Sequence, residues 1–411
     1  IVEWNSNDYE IALDSVSESF GWYGFGGSPG GGERDRYAIG TEWLLPLIDS
    51  DSLGRLDLTL AGRWDKYNDQ SSVDDARTWK AALQWQVNED LTLNAVRSSS
   101  FRAPDLHYLF ADTSLYFTDV IDLEQCINVD GNSFDQCQNN TDYFTSIAAS
   151  WTGNRSLEEE TGSTETLGLR YNPMKEVTLS LDYYDITLEN QVGLQLESQY
   201  LRWEAQCNAG VDFISGQPVD ANTPLCVDTL SRVIRGNGAL LGIFNEPVNR
   251  ALRRQSGFDF AINWFSDIRK YGTFGFDLHH SRILNTTVQA VISEPSTRDD
   301  NFQDAANNNE IRNRTNVALS WGLDDTSAVL SVFRKGTQPS SDGRSKLAAW
   351  SVVNLVLSNA VTEQQQVTLT VRNLTNKRPP IDLSMMRWPY YDRGQYDAIG
   401  RELFLNYQIA F

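Results

Sequence analysis

The sequence predicts an all-β fold, an antiparallel transmembrane β-barrel with about 14 strands in this chain. Three observations lead there. The stretch Gly400 to Phe411 sets Leu403, Leu405, Tyr407, Ile409 and Phe411 at every second position, with Glu402, Asn406 and Gln408 between them and Phe404 out of phase. Period two is the strand period, so the apolar set falls on one face. The same alternation recurs along the whole chain. The segments that separate the runs alternate between short turns and long polar loops, as in an outer-membrane barrel with short periplasmic turns and long extracellular loops.

The elements follow in order. Tyr9 to Ser19 reads as the first strand, and Phe20 to Gly32 as a Gly-rich loop carrying aromatics. Alternation returns at Tyr37, Ile39, Trp43 and Leu45, then at Leu56, Leu58, Leu60 and Trp64 after the turn Asp49–Gly54. It continues through Trp79, Ala81, Leu83 and Trp85, and through Leu91, Leu93 and Ala95 after the turn Asn88–Asp90. Leu167, Leu169 and Tyr171 form one arm of a hairpin and Val177, Leu179, Leu181 and Tyr183 the other, joined at Asn172–Lys175, where Pro173 lacks a ladder donor. Phe258, Phe260, Ile262 and Trp264 precede the turn Ser266–Tyr271, and Phe274, Phe276 and Leu278 follow it. Val317, Leu319, Trp321 and Leu323 pair across Gly322–Thr326 with Leu330 and Val332. Trp350 to Leu357 is apolar without a clear phase, and Val367, Leu369 and Val371 lie beyond the turn Asn359–Gln364. The long loops are expected at about 20–34, 102–160, 191–254, 286–310 and 376–395. A closing strand must run down into the periplasm, so counting back puts both cysteine-bearing loops outside the cell. A soluble sandwich or propeller would need neither the one-sided loop rule nor tryptophans near strand ends, and no blade-like repeat is present.

Composition narrows the function classes. No run approaches the ~20 apolar residues of a membrane helix. A net charge of −21 argues against nucleic acid as a partner. Cys126 with Cys137 and Cys207 with Cys226 each share one polar segment, so local disulfides are expected, with free thiols or a metal site as the alternatives. There is no Gly-x-Ser-x-Gly, His-Glu-x-x-His or P-loop, and nothing marks an enzyme. His107, His279 and His280 are too scattered for a metal site; the acidic stretch Asp299 to Glu310 lacks the spacing of a calcium loop. No cofactor is expected.

Three stretches resemble TonB-dependent outer-membrane receptors. Phe101, Arg102, Ala103 and Pro104, followed by the pair Leu109–Phe110, look like that family's Phe-Arg-Ala-Pro segment, although His107–Tyr108 stands where an acidic residue is common. Asn373 and Leu374 open an Asn-Leu-Thr-Asn-Lys segment similar to the one before the family's last loop, and Gly400 and Arg401 open a strand like its closing strand, ending on Phe411. The resemblance implies a plugged barrel of about 22 strands. The chain would then be the C-terminal part of a longer receptor, with the plug, the TonB box and about eight strands lying outside it.

What the resemblance implies is capture of a scarce nutrient at the extracellular loops and uptake energised by TonB with ExbB and ExbD, in the outer-membrane lipid. Candidate ligand-binding residues are the loop aromatics Trp22, Tyr23, Phe25, Tyr116, Phe117, Trp151, Tyr200 and Trp203. Aromatic faces beside Asp, Asn and Arg suit sugar rings, which favours an oligosaccharide or similar organic ligand over an iron-siderophore. The alternatives are a passive 14-stranded diffusion channel, or a surface barrel that binds a ligand without transporting it.

Overall fold

The computed structural model describes residues 1–19, 21–22, 27–73, 75–138, 140–213, 215–289, 297–298, 311–340, 345–385 and 388–410. Fourteen long strands form one antiparallel sheet in sequence order. They are β1 Val2–Ile11, β2 Gly30–Ser50, β3 Gly54–Asn68, β4 Asp75–Gln86, β5 Leu91–Arg102, β6 Glu160–Met174 and β7 Val177–Leu194, then β8 Pro247–Asp267, β9 Thr273–Gln289, β10 Asn313–Leu323, β11 Thr326–Lys335, β12 Trp350–Thr362, β13 Gln365–Arg372 and β14 Glu402–Ile409. A two-residue strand, Thr297–Arg298, also pairs with β9. The path of pairings runs from β1 to β14, and these two end strands are not paired with each other.

Register joins the apolar positions into one continuous face. Leu58 stands opposite Leu83, Leu169 opposite Leu181, Ile262 opposite Leu278, Val332 opposite Val353 and Leu369 opposite Leu405. The other face is polar: Arg63 opposes Thr78, Asn94 opposes Gly168, Asn263 opposes Asp277 and Thr368 opposes Asn406. Large apolar side chains on the first face, Trp43 and Leu405 among them, are exposed. That surface is stable only against hydrocarbon, because between the two edge strands the backbone groups have their ladder partners and the side chains there are apolar. No described helix is long and apolar enough to cross a membrane; the strands do the crossing.

The connections keep the two-class rule. Those at 51–53, 87–90, 175–176, 268–272, 324–325 and 363–364 are tight. At Gly54 the φ is +71° and a Cβ would lie 2.0 Å from the Gln86 carbonyl oxygen, so that turn requires glycine. On the opposite rim the strands outrun the expected loop bounds. β2 and β8 reach 21 residues each, against the 9–11 that cross hydrocarbon, so they stand above the membrane. The first strand is a correction. It spans Val2–Ile11 rather than Tyr9 to Ser19, and the residues beyond turn at Asp14, whose carboxylate caps the short helix Ser15–Glu18. The polar run Asn5 to Asp8 had hidden the outward pair Val2 and Trp4.

All three clusters of buried apolar residues are built mainly from the long loops rather than the strand wall. The barrel is a wall and the loops carry the core.

Candidate ligand-binding mouth of the barrel

The loops 103–159 and 195–246 fold together above the barrel. Ser114–Ile121, Phe144–Trp151, Ala239–Asn245 and Val233–Gly236 make a four-stranded sheet in which Ala239–Asn245 runs parallel to Phe144–Trp151, so each loop supplies half. Val120, Ile147 and Ile243 turn to one side and meet Tyr200, Leu201 and Trp203 of the helix Glu197–Ala209. A second helix, Pro224–Arg232, starts at Thr223, whose hydroxyl accepts the Cys226 amide.

Both expected disulfides are present, Cys126–Cys137 and Cys207–Cys226, and all four cysteines are buried. The second joins the two helices. Polar groups add a further tie between the loops. Arg235 donates from Nη1 and Nη2 to Asp122 at 2.9 and 2.7 Å, and from Nε and Nη2 to Glu204 at 2.6 and 2.8 Å. Burial pushes the Glu204 carboxyl above its usual range, against the pull of Arg235. Burial likewise lifts the Tyr200 hydroxyl to about 12. The Tyr116 hydroxyl, raised by burial and by Glu197, donates to that carboxylate.

Beneath this domain the segment after β5 folds back onto the polar face of the wall. Arg34 on β2 donates to the Pro104 carbonyl at 2.9 Å and pairs with Asp69 at 2.5 Å. Burial raises the Asp69 carboxyl, but the Ser71 hydroxyl and Arg34 outweigh it and hold it below its usual range. Leu109, Phe110 and Leu157 pack together, and Phe110 lies so close to Gly32 that a Cβ there would clash at 2.3 Å. His107 sits between Tyr9, whose hydroxyl bonds Nδ1, and Trp151, 5.1 Å away ring to ring. A cavity of about 810 Å³ opens beside it, lined in part by Tyr9, Glu33, Asp69, Phe110, Asp112 and Arg155.

The last loop is clasped at its base. Asn373 accepts the Lys377 amide and donates to its carbonyl, at 2.7 and 2.9 Å. Asn376 accepts the Arg401 amide at 3.1 Å. Higher up, Tyr396 meets Trp350 of β12 edge to face, and the Lys335 ammonium lies 5.1 and 5.5 Å from the two ring centres while donating to the Gln395 carbonyl.

Residues 2–374 match the family described as TonB dependent receptor-like, β-barrel. The chain belongs to the TonB-dependent receptor family. Barrels of this family sit in the bacterial outer membrane, which agrees with the apolar outer face. Among solved structures, a ferric enterobactin receptor of Pseudomonas aeruginosa is 15% identical with a TM-score of 0.62, covering 100% of this chain and 51% of its own. The siderophore receptor PirA of Acinetobacter baumannii gives 14% and 0.60 over the same shares, and the FrpB iron transporter of Neisseria meningitidis 11% and 0.53, over 92% of this chain and 46% of its own. The chain thus spans about half the length of the solved receptors it matches. No curated protein matches it.

The receptor's mouth distributes the predicted aromatics unevenly. Trp22 and Phe117 stand open, at 56% and 71% exposure. Tyr116 is tied to Glu197, and Trp151 packs on His107. Tyr200 and Trp203 are only 2% and 4% exposed, and their rings pack loop against loop. Tyr23 and Phe25 lie outside the described residues, as do Phe411 and the Asp299 to Glu310 stretch. Of the predicted motif residues, Phe101 to Pro104 lie at the loop end of β5, and Asn373, Leu374, Gly400 and Arg401 at the loop ends of β13 and β14. Lys335, Trp350 and Tyr396 were not anticipated, because nothing in their spacing brings three separate segments together.

Proposed function

We propose that this chain is the C-terminal wall and loop crown of a receptor that captures a small, scarce ligand at its extracellular mouth for uptake energised through TonB, ExbB and ExbD. The loop domain, folded from two loops and fixed above a polar-lined wall, is the observation that supports capture. The lack of pairing between β1 and β14 speaks against a self-closed 14-stranded channel and for further strands from the rest of the receptor. The plug and the TonB box would belong to that remainder.

For the ligand, the open faces of Trp22 and Phe117 suit an oligosaccharide or similar ring compound. An iron-siderophore is the second reading, favoured by the solved neighbours, which are receptors for ferric enterobactin and other siderophores and an iron transporter. Uptake of a labelled ferric siderophore and of a labelled oligosaccharide by cells with and without TonB tests both. Accumulation of one of them only when TonB is present is expected; equal accumulation without TonB would leave passive diffusion instead.

A further inference from the structure

Indole donors of the wall find acceptors even where they are open to their surroundings. Trp43, Trp85 and Trp321 donate to the Thr41 hydroxyl, the Leu53 carbonyl and the Tyr271 carbonyl, at 2.8, 2.8 and 2.9 Å. Trp350 is the contrast. It is only 8% exposed, and its Nε1 has no acceptor among the described residues. Two further groups share this condition. The Tyr396 hydroxyl and the Gln338 side-chain nitrogen are shielded as well, and neither has a hydrogen-bond partner among the described residues. Shielded polar groups left unmet are costly and rare, so a cluster of them calls for a cause.

These groups belong to one corner of the rim. Val332 opposes Val353 on the apolar face, so Lys335 and Trp350, which oppose each other three residues further along, fall on the polar face. Beyond them β11 and β12 continue as a hairpin in which Gln338 opposes Leu347. The last loop brings Tyr396 edge to face against Trp350, with ring centres 5.4 Å apart. The Lys335 ammonium stands beside both rings and uses one of its three protons on the Gln395 carbonyl. Charge marks the same corner. Arg314 on β10 opposes Lys335 directly, and like charges set opposite one another in a ladder repel. Asp392 of the last loop acts on Lys335, but its carboxylate also accepts the Gly394 amide at 2.8 Å. Two cations here face one carboxylate that is already engaged.

We infer that this corner holds a small monatomic anion, chloride in ordinary media. Every unmet group here can donate, and the Trp350 and Gln338 nitrogens can only donate. A water molecule would accept but bring no charge to set against Lys335 and Arg314. A carboxylate or phosphate carried on a larger molecule would need the last loop to lift, because Trp350 and Tyr396 already flank the ammonium. A halide needs no planar fork of donors. It accepts from Lys335 Nζ, Trp350 Nε1 and the Tyr396 hydroxyl, and the Gln338 side-chain amide supplies a fourth donor. The ion thereby pins the last loop to the β11–β12 hairpin, a role separate from ligand capture.

The test uses the full-length receptor, with bromide as the probe and gluconate as an anion too large to enter. Crystals grown in gluconate and soaked in bromide should show an anomalous peak within hydrogen-bonding reach of Lys335 Nζ and Trp350 Nε1. Hydrogen exchange within 388–398 should slow about tenfold at a bromide concentration roughly ten times the dissociation constant, because only the closed loop binds the ion. Trp350→Phe with Tyr396→Phe keeps an aromatic ring at each place and removes two donors. It should abolish the peak and make exchange equal in bromide and in gluconate. No peak at this corner overturns the proposal. So does wild-type exchange that is equal in the two salts, or bromide dependence that survives in the double variant. Should the double variant misfold, as shown by lost heat-dependent gel mobility, the two wild-type measurements decide. A peak together with bromide-slowed exchange supports the ion, and the absence of either sinks it.

Discussion

The guanidinium of Arg235 meets the carboxylate of Asp122 through two hydrogen bonds of 2.7 and 2.9 Å, although 113 residues separate them in the chain. The same guanidinium holds Glu204. One side chain therefore ties the loop between β5 and β6 to the loop between β7 and β8, in a setting largely shielded from water.

Arg235→Ala should destabilise the loop domain by about 3–5 kcal/mol, because it leaves two shielded carboxylates without a counter-charge. Arg235→Lys should recover only part of this, since an ammonium cannot fork to both acids. Hydrogen exchange across 114–121 and 239–245 reads the effect, and unchanged protection in the alanine variant would refute it.

The pH response of this domain follows from Glu204. Its carboxyl titrates higher in the folded loop than in the unfolded chain, so the folded state binds the proton first. As pH falls from neutral towards about 4.5, that group's contribution becomes more favourable. Asp69 does the opposite: its contribution is present above about 3.8 and fades as pH drops through its lower folded value. Glu204→Gln should flatten loop-domain stability over the upper window and leave the acid limb intact, as followed by melting against pH.

Cys207→Ser with Cys226→Ser removes a bridge across 19 residues. A loss of about 3 kcal/mol is expected, confined to the loops, with the barrel's own melting unchanged. Calorimetry that shows the barrel transition moving as far as the loop transition would contradict it.

Phe117 and Tyr200 separate contact from packing. Phe117→Ala should leave stability within about 0.5 kcal/mol while weakening ligand capture. Tyr200→Ala should cost about 3–5 kcal/mol of loop stability through the cavity it leaves. Melting and ligand binding measured on the same pair of variants distinguish the two roles.

Lys335→Met should loosen the last loop by about 1–2 kcal/mol, through lost contact with the rings of Trp350 and Tyr396 and with the Gln395 carbonyl. Faster exchange or proteolysis within 388–398 is the expected readout.

The strand wall was legible because lipid on one side and polar lumen on the other impose a strict period of two. Leu403, Leu405 and Tyr407 display it without help from any other part of the chain. The first strand was misplaced because Asn5 to Asp8 rise above the hydrocarbon, where the period no longer has a cause. The loop domain left no such trace. Ala148 pairs with Gly242 in a parallel ladder drawn from separate loops, and neither segment signals the other locally. Residue type alone marks Tyr200 and Phe117 equally as aromatics in a polar stretch; only the helix that turns Tyr200 inward tells them apart. Asn373 and Arg401 were legible as a family pattern, but their work as a clasp required the hydrogen bonds.

The shared sheet has a consequence for how such receptors diversify. A surface loop usually varies as an independent module, free to be lengthened, shortened or exchanged. Here, replacing 103–159 alone would strip Ala239–Asn245 of its neighbour and Arg235 of Asp122. These two loops must be inherited as a unit, and a chimaera that carries only one of them will present an unfolded crown on an intact wall.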